Sequence, residues 1–352
     1  MKQFGARQPY MTLRIPKLGV SFLVERQPLW LIACLVLLLF ICMLYATGAG
    51  SLPIPASDVF KSLIGHGDPL NDLIIREFRL PRVLTAVLAG AALALSGAVM
   101  QGMVRNPLAS PDLMGITSGA GLAAVVFLNF FSGDWGIHWL PVFAAAGGAI
   151  VAGAVFLAAW KGGIAPIRMV LIGVGITALL GSARTIIMLQ ANIWQAAQSY
   201  TWLVGSLHSS SWSSVQMLFI CLLVLSPLLF IAVRYINLHA LGDEVALGAG
   251  SALQRERILL IALLTALAGA GISFVGGISF VALMSPHIAR RLVGPSFGAV
   301  LPASALIGAM ILVTSDLIGR TMFVPLDIPA GIFTALIGAP FFLYLLTKVW
   351  SR

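Results

Sequence analysis

Long apolar runs, separated by short polar or glycine- and proline-rich stretches, dominate the hydrophobic pattern of this chain. A helix needs about 20 mainly apolar residues to cross the roughly 30 Å hydrocarbon core of a bilayer. Runs close to this length occupy residues 29–47, 83–103, 113–131, 139–160, 169–189, 214–233, 258–275, 299–318 and 329–347. A shorter tenth segment lies in GGISFVALMSPHIARRLVG, and its apolar core ends at Ser285 and Pro286. The pattern therefore predicts about ten transmembrane helices.

The predicted spans are helical rather than β-stranded. They lack the strict alternation of a membrane β-barrel and are too long for its strands, whereas a spanning helix satisfies its backbone hydrogen bonds internally. Composition agrees, since the 352 residues are 59% hydrophobic and have a mean hydropathy of +1.01. We predict an all-α, polytopic membrane protein with an N-terminal segment, residues 1–28, and a transmembrane domain, residues 29–352.

Lysine and arginine positions predict the orientation, because cytoplasmic loops are enriched in them. Threading ten spans from a cytoplasmic N-terminus places fifteen of the 21 basic residues inside and six at the outer side. Both termini, including the 1–28 segment, are therefore expected in the cytoplasm. The net charge of +9 follows mostly from this bias, so we expect membrane lipid and no nucleic acid as a partner.

Several kinds of active centre are missing from the sequence. No G-x-x-x-x-G-K-[ST] phosphate loop occurs. None of the twelve acidic residues lies near the middle of a predicted span, where an ion-coupled carrier usually keeps one. The five histidines and three cysteines show no metal-ligand spacing. These absences predict a translocation subunit that is driven by a partner, with no catalytic residue and no metal site.

One charged island interrupts the apolar pattern at LGDEVALGAGSALQRER, residues 241–257. By the predicted spans it lies in a cytoplasmic loop of about 22 residues. Acids in the first turn favour a short helix that the glycines end, and Ser251 can cap a second helix. Exposed Val245, Ala246 and Leu247 would form a knob that fits a groove on a partner. The alternative is a solvated connector.

The stretch REFRLPR breaks the charge rule, because three arginines fall on the predicted outer side. Arg79 and Arg82 are three residues apart and can face the same way on a helix. Snorkelling to lipid headgroups is the alternative account. Arg320 is a further arginine at this rim, and Asp316, four residues earlier, can pair with it.

The connection VRNPLASPD joins the second and third predicted spans on the inside. Pro107 and Pro111 exclude regular helix and push Asn106 and Ser110 towards extended conformations. Irregular backbone at this depth is tolerated only when it is buried in protein or lines a cavity. An ordinary tight turn is the alternative.

Four blocks of the sequence resemble the FecCD family, the permease subunits of bacterial ABC importers for ferric siderophores, haem and vitamin B12. They are RLPRVLTAVLAGAALALSGAVMQGMVRNPLASPDLMGITSGAG (79–121), LGDEVALGAG (241–250), ISFVALMSPHIARRLVG (278–294) and PLDIPAGIFTALIGAPFFLYLL (325–346). They follow the family's order, and the similarity covers nearly everything after about residue 30.

The resemblance implies an architecture and a set of partners. The fold would be that of a type II ABC importer permease, as in the vitamin B12 importer, in the bacterial cytoplasmic (inner) membrane. A second permease subunit, a paralogue or an identical copy, would pair with this chain. Two ATPase subunits, which use ATP and Mg²⁺, would bind its cytoplasmic face, and an extracytoplasmic binding protein would deliver the substrate.

The resemblance also implies roles for particular residues. The ATPase contact would be formed by Asp243, Glu244, Ala246, Leu247 and Gly248. Arg79, Arg82 and Arg320 would dock the binding protein. Asn106 and Leu108 would form a cytoplasmic gate, with residues 162–166 as a companion.

A ferric siderophore is the expected substrate, because RNPLASPD looks most like members that serve iron uptake. Haem and cobalamin remain alternatives. An iron chelate arrives fully coordinated, so we expect this chain to bind no metal and no cofactor of its own. Two rivals stay open: an ion-coupled secondary carrier and, with less support, a membrane-embedded enzyme.

Overall fold

The described part of the chain is a helical bundle preceded by a short hairpin. The computed structural model describes residues 10–15, 20–161 and 166–350. Strands β1 (Tyr10–Ile15) and β2 (Val20–Glu25) pair antiparallel. The helices are α1 (Arg26–Gly48), α2 (Ala56–Leu63), α3 (Pro69–Leu73), α4 (Leu80–Val104), α5 (Ile116–Phe130), α6 (Ser132–Trp135), α7 (Leu140–Ala159), α8 (Pro166–Gln190), α9 (Ile193–Val204), α10 (Trp212–Ala240), α11 (Asp243–Gly248), α12 (Leu253–Val275), α13 (Val281–Val293), α14 (Phe297–Thr321) and α15 (Ala330–Trp350).

Each of the ten predicted segments is helical, which confirms the all-α prediction. Eight helices of the described residues are long and apolar enough to cross a membrane. Helices α5 and α13, with 15 and 13 residues, are the two shorter ones. The count of ten crossings therefore stays a prediction, as does the division at residues 28 and 29. Helix α1 begins at Arg26, before that division.

The loop around the charged island is shorter than predicted. Helix α10 continues past the apolar run to Ala240, and α12 begins at Leu253. Polar side chains near the end of α10 do not stop the helix, because they find partners in the bundle. The Asn237 Oδ1 atom, for example, accepts a hydrogen bond of 3.1 Å from the backbone N–H of Phe297.

Helix α4 is the central element of the bundle. Of its apolar stretch 78% is buried, the largest share among the spanning helices, and it packs against α10, α12, α13 and α14. Small residues permit this close packing, as is usual between membrane helices. A Cβ atom at Gly97 would overlap the carbonyl group of Ala282 on α13. The Ser96 hydroxyl donates to the Leu264 carbonyl at 2.6 Å and so links α4 to α12.

Charged residues gather at two opposite ends of the bundle. At the first, here named the Arg82 end, Arg82 pairs with Asp316 and Asp327. At the second, the Asp243 end, Asp243 pairs with Arg105 and Arg257. Each cluster joins parts of the chain that the predicted threading placed on one face of the membrane.

We expect Gly97→Ala to lower the free energy of unfolding by about 1–3 kcal/mol, because the added methyl group meets backbone that has no room to move. Gly269→Ala is the matched control. It is also a helical glycine, but its Cβ would meet no atom within 4 Å, because it borders a groove of about 460 Å³ between α7 and α12. Unfolding of the purified protein in detergent measures both. Equal stability of the two variants would contradict the close contact of α4 and α13.

Candidate functional site

Helix α11 is a six-residue helix held between glycines. Gly242 before it and Gly250 after it have φ of 111° and 81°, values that glycine adopts at little cost. The Ala246 N–H donates to the Gly242 carbonyl at 3.0 Å and so closes the first turn. The predicted short helix is confirmed.

The exposed surface of α11 differs from the predicted knob. Val245 and Leu247 are 53% and 58% exposed, and Glu244 is exposed as well. Ala246 is fully buried, so the prediction that it is exposed is wrong. Each residue of a helix turns by about 100°, so with Ala246 facing α10 and α12 its neighbours point to either side. We name Glu244, Val245 and Leu247 the coupling face.

The Asp243 carboxylate pairs with two arginines of its own chain and is not a free charge beside the coupling face. One carboxylate oxygen lies 3.1 Å from the Arg105 guanidinium at the end of α4, and the other lies 2.8 Å from that of Arg257 on α12. This acid therefore anchors α11 to two other helices. Its predicted contact with an ATPase is not tested by this arrangement.

Glu256 anchors the other end of the island. Its carboxylate accepts hydrogen bonds from the His239 Nε2 atom at 2.9 Å, from the Ala252 N–H at 3.1 Å and from the Ser251 hydroxyl. Ser251 was predicted to cap α12, but Ala252 holds the N-cap position and Ser251 donates instead of accepting. A buried carboxylate needs such donors, and here they close the loop onto α10.

The predicted gate is a tight turn next to α4. Arg105 ends the helix in the left-handed region, with φ 57° and ψ 32°, which costs a non-glycine residue of order 1–3 kcal/mol. The Asn106 Oδ1 atom then accepts a hydrogen bond of 2.9 Å from the Leu108 N–H. Ser110 is extended, as predicted. Of the companion stretch, residues 162–165 lie outside the described residues.

Arg82 is the centre of the opposite end. Its guanidinium group donates to Asp316 at 2.7–3.1 Å and to Asp327 at 2.7 and 2.9 Å. The His208 ring lies 2.9 Å from Asp327. These contacts join α4 and α14 to the connections that follow α9 and α14. The Asp316 side chain is only 2% exposed, so its charge depends on these partners.

Asp327 lies between α14 and α15, where its charge is strongly compensated. Partial burial by itself would raise the pKa of Asp327, but the hydrogen bond and positive charge of Arg82 outweigh it, with a smaller contribution from His208. The pKa of this carboxyl therefore lies below its ordinary value. It stays ionised at neutral pH and keeps the connection before α15 attached to α4.

Arg79 and Arg320 both hold the end of α1. The Arg79 side chain is buried and donates to the Thr47 and Gly48 carbonyls at 3.2 and 2.7 Å. Arg320 donates to the Ala49 carbonyl at 2.7 Å and also to that of Ala46. The last carbonyls of a helix lack intrahelical partners and attract cations. These contacts are structural, and docking of a binding protein by the three arginines stays a prediction.

Comparison with known proteins identifies the family. Residues 37–348 match the model of the FecCD transport family. The chain belongs to the FecCD transport family. It is 47% identical over 311 residues to "Probable siderophore transport system permease protein YfhA" of Bacillus subtilis (strain 168), which covers 87% of this chain and 91% of that protein. The achromobactin transport system permease protein CbrC of Dickeya dadantii (strain 3937) is 44% identical over 312 residues, 89% of each chain.

A solved structure supports the same assignment. It is described as a metal-chelate type ABC transporter in an inward-facing conformation, and it superposes with a TM-score of 0.80 at 30% identity. The match covers 91% of this FecCD chain and 99% of that chain. The chain is thus a transport protein rather than an enzyme.

Among the described residues of this FecCD chain, no three His, Cys, Asp or Glu side chains lie close enough together to hold a metal ion. The His239–Glu256 pair has hydrogen-bond donors around it instead. Its chemistry is therefore that of a structural clamp.

Sequence reasoning overlooked the partners of the predicted residues. Arg105, Arg257 and Glu256 complete the Asp243 end, and Asp327 and His208 complete the Arg82 end. The sequence did carry a signal for these contacts, because only 9% of the residues in this chain are charged. Pairing them across predicted loops on one face would have suggested several of these contacts.

We expect Arg82→Ala to lower the free energy of unfolding by about 3–5 kcal/mol, because it leaves a buried carboxylate without its main partner. Lys61→Ala removes an exposed ion pair with Asp58 and should cost no more than about 1 kcal/mol. Adding Asp316→Asn to Arg82→Ala should restore part of the loss. Unfolding in detergent measures all three, and similar effects of Arg82→Ala and Lys61→Ala would refute the role given to Arg82.

Proposed function

We propose that this chain is the permease subunit of a bacterial ABC importer and that it moves a ferric siderophore across the cytoplasmic membrane. The single observation that carries this proposal is the match over most of both chains to permeases named for siderophore and achromobactin transport. The solved metal-chelate type ABC transporter supports the same substrate class. Haem and cobalamin remain alternatives within this class of transporter.

The orientation belongs to the proposal. The Asp243 end faces the cytoplasm, together with both termini, and the Arg82 end faces outward. The excess of lysine and arginine on the first of these faces supports this assignment. ATP and Mg²⁺ are used by two partner ATPases, and this chain binds neither.

The coupling face is the proposed contact with the ATPases. Val245 and Leu247 present two large apolar side chains on a short helix at the surface, where a complementary groove could bury them. Glu244 and Gly248 lie beside them. Asp243 also supports the helix from within this chain through its two arginines, and Ala246 is buried against the bundle. The contact of these two residues with the ATPase stays a prediction.

The outer partner is an extracytoplasmic binding protein that docks at the Arg82 end. Arg82 is the most exposed of the three proposed docking arginines, although its side chain is still only 14% exposed. Arg79 and Arg320 act by holding the end of α1 below this face. Reversing the charge of Arg79 and Arg82 would therefore disturb folding as well as docking.

Helix α8 supports the proposal of a second permease subunit. Only 6% of its apolar stretch is buried in this chain, against 78% for α4. Leu171, Leu179 and Ile186 are among its exposed large side chains. Ser182 and Thr185 are exposed on the same helix. A paralogous or identical permease would cover this helix, and its small and hydroxyl-bearing residues suit a weakly polar substrate pathway between the two subunits.

The substrate proposal predicts which compound the complete complex recognises. We expect the complex, purified with its natural partners, to retain a ferric siderophore through its binding protein and to hydrolyse ATP faster in its presence. Haem and cobalamin serve as the comparison compounds. If only haem or cobalamin stimulated ATP hydrolysis, that compound would take the place of the proposed substrate. Uptake that needs a proton gradient but no active ATPase would support the secondary carrier.

The proposed ATPase contact predicts the effect of a charge on the coupling face. Leu247→Asp places a carboxylate in an interface that needs apolar burial, so ATPase subunits should no longer copurify with the chain. Leu326→Asp is the matched control, since Leu326 is also an exposed leucine, 68%, but lies between α14 and α15 at the Arg82 end. Both variants should insert into the membrane normally. Undiminished ATPase copurification with Leu247→Asp would refute the contact.

A further inference from the structure

The Asp243 carboxylate joins α11 to α12, its neighbour in sequence, and to α4, which is distant in sequence. Asp243 is the first residue of α11, and its two oxygens meet arginines at the end of α4 and in α12. No other acid among the described residues pairs with side chains of two helices at this end of the bundle. A displacement of α11 therefore acts on both arginines at once.

The two arginine contacts differ in their surroundings. The Arg257 side chain is 4% exposed and lies in α12, which packs against α4, α7 and α10. The Arg105 side chain is 43% exposed and lies at the very end of α4. The contact with Arg257 is therefore the buried one, and the contact with Arg105 is the exposed one, beside the turn that follows α4.

Arg105 is covalently next to the predicted gate. Its left-handed backbone conformation ends α4, and the following residue, Asn106, forms the turn that positions Leu108. A pull on the Arg105 side chain acts on a residue that is already in an uncommon conformation. The turn that begins there is closed by the Asn106 side chain and by a backbone hydrogen bond of 3.1 Å from the Ala109 N–H to the Asn106 carbonyl. Neither bond belongs to α4.

Helix α11 is bounded by two glycines. Gly242 and Gly250 flank it with backbone angles available mainly to glycine. Beyond Gly250, the buried Glu256 holds Ser251 and Ala252 in place. Among the described residues, Asp243 is the ionic contact of α11 with the rest of the bundle, and the Ser251 N–H donates to the Ala246 carbonyl at 3.0 Å.

We propose that Asp243 and Arg105 are positioning residues that transmit a displacement of the coupling face to the gate turn at Asn106 and Leu108. This inference rests on the proposed ATPase contact and names the side chains through which that contact acts. When ATPases move α11, the Asp243 carboxylate carries Arg105 with it, and the turn follows. The interaction is an ion pair that is retained while its two halves move.

If the Asp243–Arg105 pair served only to stabilise the fold, its loss would leave the ATP used per transported molecule unchanged. Ion pairs with this degree of exposure contribute little to stability. Removal of the Arg105 charge should therefore leave folding nearly unchanged. If the pair transmits motion, its loss should appear in the number of ATP molecules hydrolysed for each substrate molecule transported.

The test uses the full complex with its ATPases and binding protein, reconstituted in proteoliposomes. The variants are Arg105→Gln, Asp243→Asn and the two combined, with Arg255→Gln as control, because Arg255 is an exposed arginine of the same island. ATPase copurification, thermal stability, uptake of a ferric siderophore and ATP hydrolysis are measured for each.

We expect Arg105→Gln to keep its ATPases and its thermal stability while the ATP hydrolysed per transported siderophore rises roughly fivefold or more. The combined variant should be no worse than Asp243→Asn alone, because Asp243→Asn already removes the contact with Arg105 together with that to Arg257. Arg255→Gln should match the parent. An unchanged ratio in Arg105→Gln, additive effects in the combined variant, or loss of ATPase copurification from Arg105→Gln would each overturn the inference.

Failure of this inference is distinguishable from failure of the proposed function. If Leu247→Asp still copurifies with ATPases, the coupling face itself is misplaced. If Leu247→Asp loses them while Arg105→Gln transports with the parent's ATP ratio, the coupling face is correct and the transmission route is wrong.

Discussion

The structure depends on one constraint: a charge at the edge of an apolar bundle has to find its partners inside the protein. Lipid tails offer no hydrogen bonds, and an unpaired buried charge is costly. The chain meets this constraint by gathering its rare charges at the two ends of the helices. At the Arg82 end, two carboxylates share one guanidinium group, and at the Asp243 end two guanidinium groups share one carboxylate. Between these ends the helices pack through glycine and alanine.

These two clusters differ in what they hold. The Arg82 cluster and the neighbouring Arg79 and Arg320 attach α1, α14 and the connection before α15 to the central helix, so this end is tightly cross-linked. The Asp243 cluster holds a short helix between two glycines, and one of its two contacts is open to solvent. The same kind of interaction therefore cross-links several helices at one end and holds a short, partly exposed helix at the other. That asymmetry suits a transporter in which the driving force enters at one face.

The helices were predictable because each spanning segment carries its own signal, a long apolar run. The ends of the helices were harder to predict. The polar end of α10, for example, stays helical because Asn237 and His239 find partners on other segments. Ala246 was misjudged for a related reason: the sequence shows a small apolar residue between two large ones, but not which side of a six-residue helix faces the bundle. The acceptors of Arg79 lie about thirty residues earlier in the chain, and no local pattern indicates such a distant contact. The coupling island and the irregular turn after α4 were visible in the residue pattern, and family resemblance supplied their roles, whereas their ionic connection required the folded arrangement.

The broad exposed surface of α8 has a consequence for assembly. In water, such a surface would drive association through the hydrophobic effect, but lipid chains solvate leucine as well as another protein does. Recognition between two permeases along this helix would then rely on shape and on a few small or hydroxyl-bearing positions. Under the proposed pairing, substitutions at those positions would change which subunit is recognised without altering the apolar character that membrane insertion requires.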